Sequence, residues 1–357
     1  MTGLKNLLEM APFSLNHSEK ESLFRSELQK LMSHHYENCP EYHRIIDQMK
    51  VNPEEPLNPS EVPFLPVSLF KKYDLSSIEK SQVAATLKSS GTSGQQVSKI
   101  TIDKETGINQ KKVLARITAD FIGNSRLPML ILDSSSVMKD RAMFSARGAG
   151  ILGFGNFGID TTYAFDEKMD LNLEDIEVFL KKYEGQKILL FGFTFMVWQH
   201  FFLPLKKRGL RLALDNGILI HGGGWKKLQD QAVDTATFRK SLKEVGGISH
   251  IHNYYGMAEQ TGSIFMECEQ GHYHCSIFSD IFTRRNDFSV CNVGEKGMIE
   301  VISLLPHSYP GHALLTEDMG TVLGEDNCPC GRLGKYFAVH GRIAKAELRG
   351  CSDTYEP

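Results

Sequence analysis

The sequence predicts an α/β core followed by a β-rich region, and three observations carry that reading. Short apolar runs that close on polar or glycine residues, such as Met129-Leu130-Ile131-Leu132-Asp133 and Ile188-Leu189-Leu190-Phe191-Gly192, read as strands of a buried sheet. Helical stretches such as residues 173–183 lie between them, and strands alternating with helices build α/β layers. Beyond about residue 265 glycines become frequent, helix patterns are rare, and short β-like runs such as residues 297–302 take over. The expected division is therefore residues 1–265, an α/β core with a helical N-terminal layer, and residues 266–357, a β-rich subdomain.

Taken in order, residues 21–49 set apolar side chains at helical spacing among charges until Asn52-Pro53 and Pro56 interrupt them. His34, His35 and His43 lie in this layer without cysteines or acids at ligand spacing, so they read as structural. Pro63-Phe64-Leu65-Pro66-Val67 is extended, because the residue before each proline is pushed away from helical dihedrals. A serine- and glycine-rich loop at residues 89–94 precedes a strand at 99–102 and a helix from about 104 to 121. Ile218-Leu219-Ile220 running into His221-Gly222-Gly223-Gly224, and residues 250–255, give two more strand-to-loop transitions. The longest apolar stretch, residues 188–198, reads as a buried strand and helix, far short of the roughly 20 residues that span a bilayer.

Composition removes several function classes. At 357 residues, 41% hydrophobic and 23% charged, the chain has a globular composition. A net charge of -3 with no Lys/Arg block and interleaved aromatics argues against nucleic acid as a partner. Acidic and polar residues among the first leucines do not make a signal peptide. Seven cysteines form an odd set, and Cys328 and Cys330 are one residue apart, which suits reduced thiols in a cytoplasmic protein better than a secreted disulfide framework.

The loop Ser89-Ser90-Gly91-Thr92-Ser93-Gly94 is a candidate phosphate cradle. Its glycines let the backbone approach a phosphate, and its hydroxyls add donors along a polyphosphate. Alone it also fits a flexible linker; Lys99, a cation a few residues on at the start of a strand, favours the nucleotide reading. The Gly-Lys pair of a Walker loop is missing. Gly148-Ala149-Gly150-Ile151-Leu152-Gly153 matches a dinucleotide fingerprint, but the preceding strand ends too far upstream and no acidic residue closes a second strand, so backbone packing is the better reading.

Three further stretches, Tyr255-Gly256-Met257-Ala258-Glu259, Thr316-Glu317-Asp318 and Gly341-Arg342, occur with the serine loop in an order that resembles the adenylate-forming superfamily. Within it the chain resembles the acyl-protein synthetases, or long-chain fatty acid-protein ligases, of bacterial fatty-acid reductase complexes, and more distantly the phenylacetate-CoA ligases. The resemblance implies the fold of an adenylate-forming N-terminal domain with a β-rich C-terminal subdomain. It implies ATP and Mg2+ as cofactors, with Ser89, Ser90, Gly91, Thr92, Ser93 and Gly94 gripping the β- and γ-phosphates and Glu259 holding the magnesium. Tyr255 and Gly256 would sit beside adenine, the Gly222, Gly223 and Gly224 backbone would line it, and Asp318 with Arg342 would contact the ribose. Physical chemistry agrees: a carboxylate attacking the α-phosphorus meets like charge, so metal, amide donors and lysine must neutralise the nucleotide and hold the attack in line.

The sequence stops at Pro357, shortly after Arg342, so the mobile C-terminal lid domain of that superfamily is expected to be lacking. Short acyl-protein synthetases resemble this chain in placing an acyl-accepting cysteine near the C-terminus, which corresponds to Cys351. Arg349 and Lys345 beside it would favour the nucleophilic thiolate. The expected substrate is a carboxylic, fatty acid, its apolar chain bounded by Phe193, Thr194, Met196 and Met257, and the expected partner is an acyl-CoA reductase or another acyl-accepting protein. Delivery to CoA or a carrier thiol, or nucleotide binding without turnover, are the competing readings. Finally, Cys268, His274, Cys328 and Cys330 lie in two short knuckles of the kind tetrahedral Zn2+ prefers, with His272 or Cys275 able to replace His274.

Overall fold

A computed structural model describes residues 2–88, 98–138 and 146–343. Among them the chain forms two compact units, residues 121–255 and residues 2–120 together with 256–343. This division differs from the expected boundary at residue 265, and the reason lies in the N-terminal layer. Its main helix, His17–Asn38, starts on a capping box between Asn16 and Glu19, and Pro40 opens a second helix, Pro40–Met49. Both helices fasten to the C-terminal region. Lys20 donates to Asp280 at 3.4 Å, the His35 Nε2 lies 3.0 Å from the Pro306 carbonyl oxygen, and the Tyr42 hydroxyl lies 3.2 Å from His312 Nε2. The extended segment expected at residues 63–67 holds strand β1 (Leu65–Pro66). Strands β2 (Ala85–Lys88) and β3 (Lys99–Ile102) form an antiparallel hairpin that pairs Lys88 with Lys99.

The other unit is a purely parallel sheet of β4 (Leu127–Ser134), β5 (Gly158–Phe165), β6 (Ile188–Phe193), β7 (Gly217–Gly222) and β8 (His250–Tyr255), in the order β5-β4-β6-β7-β8. Every residue of β6 and β7 is buried, as a sheet covered by helices on its faces requires. Helices Leu173–Lys182 and Thr235–Gly246 are capped by Asn172 and Asp234, whose side chains accept from backbone amides. The long apolar stretch is β6 continuing into helical residues 194–208, with a π-helical turn at Val197–Phe202. No helix among the described residues is long and apolar enough to cross a membrane. Residues 148–153 lie inside helix Ala146–Gly155, where a Cβ on Gly150 would stand 3.1 Å from the Phe193 ring, so this glycine serves backbone packing.

The C-terminal strands complete the unit that holds the N-terminal layer: β9 (Phe265–Glu267), β10 (Tyr273–His274), β11 (Ser279–Arg284), β12 (Lys296–Ser303), β13 (Ala313–Glu325) and β14 (Lys335–Arg342). They are ordered β11-β12-β13-β14-β10-β9 and antiparallel throughout, with β1 added parallel to β13.

Buried histidines make this fold acid-sensitive. Burial, aided by His312 and His34, holds His35 well below its ordinary value, and burial pushes His221 and His312 down to about 3. These rings are neutral when folded but take a proton in the unfolded chain near pH 6.5. Stability is therefore flat above that pH and falls below it by up to about 1.4 kcal/mol per pH unit per histidine. Glu300, whose carboxyl burial pushes up to about 7, opposes one of the three. Thermal melts are expected to hold a constant midpoint from pH 8 to about 7 and to drop steeply from about pH 6.5 to 5; an unchanged midpoint at pH 5 would contradict the account.

Candidate active site

In the parallel unit the expected residues lie where ligands of open α/β sheets bind, beyond the C-terminal ends of the strands. Strand β7 runs out at Gly222, and Gly223 and Gly224 follow with φ of +79° and +65°. Only glycine suits this turn: a Cβ on Gly222 would stand 2.4 Å from the Tyr254 ring, and one on Gly223 would stand 2.4 Å from Phe193. The turn is pinned by Thr194, whose Oγ1 donates to the Gly222 carbonyl oxygen at 3.0 Å and lies 2.9 Å from His221 Nδ1. With its hydrogen on the carbonyl, Thr194 accepts from the Nδ1–H of the neutral His221. Tyr255 closes β8, partly exposed. Phe193, Thr194 and Met196, expected to bound an apolar substrate, are all buried, and Phe193 packs under the glycine turn.

In the other unit, Gly256 is exposed and Glu259 sits in the short turn Ala258–Gln260. Glu259 is 3% exposed, and its Oε1 has no hydrogen-bond partner among the described residues. A buried carboxylate oxygen left unpaired is costly, and such a cost is removed by a cation. The turn itself is firmly held. Gln260 Nε2 donates to the carbonyl oxygens of Val301 at 3.1 Å and Gly311 at 2.8 Å, and a Cβ on Gly262 would meet the Gln110 backbone at 2.7 Å. Burial and the Glu259 charge together push the Tyr309 phenol up, which identifies Tyr309 as a neighbour of that carboxylate. The sequence singles out neither Gln260 nor Tyr309; adjacency to Glu259 is the one available signal, and it exists only for Gln260.

Asp318 and Arg342 are brought together as directly opposed residues of β13 and β14, with Arg342 Nε 3.9 Å from Asp318 Oδ1. Asp318 is oriented by its own backbone N–H, which donates to Thr316 Oγ1 at 3.1 Å, while Thr316 donates to the Ile299 carbonyl at 2.8 Å. Lys99 is exposed at the start of β3. Ser89, Ser90, Gly91, Thr92, Ser93 and Gly94 lie outside the described residues, in the connection between β2 and β3, and Cys351 lies outside them too. Cys268, His274, Cys328 and Cys330 do converge, with their ligand atoms all within 4.8 Å of one another.

Comparison with known proteins accords with this geometry. A family model described as "Acyl-protein synthetase, LuxE" matches residues 4–356. The chain is 22% identical to a long-chain-fatty-acid–luciferin-component ligase of Vibrio harveyi over 366 residues, which cover 98% of this chain and 92% of that protein. Among solved structures it is similar to 2-hydroxyisobutyryl-CoA ligase in an open conformation with 2-HIB-AMP and CoA, with a TM-score of 0.69 and 14% identity over 93% of this chain and 71% of that one. The same ligase in its postadenylation state with 2-HIB-AMP gives a TM-score of 0.68 and 15% identity over 92% and 69%. At these identities the structural likeness speaks for the fold, which is that of adenylate-forming enzymes.

Proposed function

Because this chain belongs to the LuxE acyl-protein synthetase family and is an ATP-dependent, acyl-adenylate-forming ligase, we propose that it activates a long-chain fatty acid and loads the acyl group onto its own Cys351. An acyl-accepting protein, of which an acyl-CoA reductase is one kind, then takes the group. The relative from Vibrio harveyi carries a long-chain fatty acid and a luciferin component in its name, which supports the fatty acid and a protein partner.

The observation that carries the nucleotide half is Glu259, a buried carboxylate whose Oε1 faces no donor among the described residues. It offers the hard oxygen ligand that Mg2+ takes, and magnesium bound there would offset the charge of the triphosphate. Lys99 and the Ser89, Ser90, Gly91, Thr92, Ser93 and Gly94 backbone and hydroxyls are assigned to the β- and γ-phosphates. Tyr255 and Gly256, with the Gly222, Gly223 and Gly224 backbone, are assigned to adenine, and the opposed Asp318 and Arg342 to the ribose. A carboxylate oxygen of the fatty acid attacks the α-phosphorus, the bond to the β-phosphate breaks, and pyrophosphate leaves. The Cys351 thiolate then attacks the acyl carbonyl, and AMP departs with the bonding pair.

Isotope exchange between pyrophosphate and ATP, run with a panel of short, long and aromatic acids, tests the first step. Exchange that requires Mg2+ and is fastest with a long-chain fatty acid is expected. No exchange with any acid would overturn the adenylation site assignments, and a preference for aromatic acids would overturn the substrate.

A further inference from the structure

We propose that Cys268, His274, Cys328 and Cys330 bind one structural Zn2+ through Cys268 Sγ, His274 Nε2, Cys328 Sγ and Cys330 Sγ. The assignment is independent of the acyl chemistry and rests on how two loops meet at one end of the antiparallel sheet. The β9–β10 turn carries Cys268, β10 carries His274, and the β13–β14 connection carries Cys328 and Cys330. Because β14 pairs with β10 and β10 with β9, these segments lie side by side.

The two cysteine loops share one construction. The Gly271 N–H donates to the Cys268 carbonyl at 3.0 Å, and the Gly331 N–H donates to the Cys328 carbonyl at 3.0 Å. Each turn thus begins on a cysteine and uses a glycine three residues later at φ +82°. Chain reversals of this kind bring sulfur atoms and amide donors inward around a common centre.

Distances fit the metal. Tetrahedral zinc with bonds of about 2.3 Å to sulfur and about 2.0 Å to nitrogen sets sulfurs roughly 3.8 Å apart and sulfur and nitrogen roughly 3.5 Å apart. Cys268 Sγ and Cys328 Sγ are 4.0 Å apart, Cys330 Sγ and His274 Nε2 are 3.3 Å apart, and all four ligand atoms lie within 4.8 Å of one another.

Polar groups surround the sulfurs. The Gln270 N–H donates to Cys268 Sγ at 3.4 Å, and His272 Nδ1 lies 3.4 Å from Cys328 Sγ. Arg332, two residues past Cys330, is fixed by Asp120 at 2.8 Å and Glu269 at 3.0 Å. These contacts form the outer shell that orients ligands and tunes a metal centre. Convergence resolves a choice the sequence leaves open: His274 belongs to the set of ligand atoms that lie within 4.8 Å of one another, whereas His272 and Cys275 do not, so His274 is the nitrogen ligand.

Metal analysis of the full chain, purified without added zinc or chelator, is expected to give one zinc per chain. Cys328→Ser and Cys268→Ser should lose it, and Cys291→Ser, whose thiol lies outside the converging set, should keep it. Should the knot variants fail to fold, Co2+ exchanged into the unmodified chain supplies the answer through the intense visible bands and thiolate charge transfer of a tetrahedral site. Chelation of the zinc should lower the thermal midpoint. Zinc near zero with no such Co2+ spectrum would overturn the proposal, and so would a Cys268–Cys328 disulfide found by mass spectrometry in the freshly purified chain.

Discussion

Replacing Glu259 with glutamine should lower fatty-acid-dependent pyrophosphate exchange by about 10²–10³-fold, the loss typical of removing one electrostatic stabiliser of a transition state. Glutamine keeps the shape of the side chain but removes the charge and turns one hard oxygen into an amide. The fold should tolerate the change. The anchors of this turn are the bonds from Gln260 to the Val301 and Gly311 carbonyls, which the substitution does not touch. Removing a buried carboxylate with an unpaired oxygen also relieves a desolvation penalty, so the thermal midpoint should be unchanged or raised. Wild-type exchange in Glu259→Gln would remove this residue from the magnesium role.

Cys351→Ala separates the two half-reactions. Its expected signature is pyrophosphate exchange at the wild-type rate together with complete loss of acyl-enzyme, because adenylation precedes and does not need the thiol. The structure limits the alternative acceptors. Among the described cysteines, Cys39, Cys268, Cys275 and Cys328 are buried, which leaves Cys291 and Cys330 partly accessible. Cys291→Ala should therefore keep full acylation, and a hydroxylamine-sensitive acyl group that survives in Cys351→Ala and disappears in Cys291→Ala would reassign the acceptor.

Strands and helices with a local signature were legible in the sequence. The runs at residues 99–102 and 250–255 are strands with those bounds, and the apolar stretch from residue 188 is a strand passing into helix. Strand β5 escaped because Gly158–Phe165 carries four exposed or half-exposed polar and aromatic positions in its middle and lacks a continuous apolar run. The discontinuous unit escaped for a different reason. Nothing in the order of residues announces that Lys20 pairs with Asp280, or that His35 meets Pro306, since these contacts join segments some 260 to 271 positions apart.

For the candidate site, motifs identified residue types, and long-range register supplied their geometry. Asp318 and Arg342 are a cross-strand pair through the pairing of β13 with β14, whose two register shifts cancel between the hairpin end and this pair. The depth of Glu259, and Tyr309 beside it, follow from packing that no local pattern records. The proposed zinc site lay between these cases: its residue types were visible as two knuckles, whereas the convergence of His274, and not His272, with the three cysteines came from the fold.

Intact-mass measurement of the wild-type chain after incubation with ATP, Mg2+ and a long-chain fatty acid shows whether the chain acylates itself. One added acyl group per chain is expected, removed by neutral hydroxylamine and located on the peptide containing Cys351. A chain that consumes ATP with the fatty acid, releases acyl-adenylate and never gains mass would contradict it.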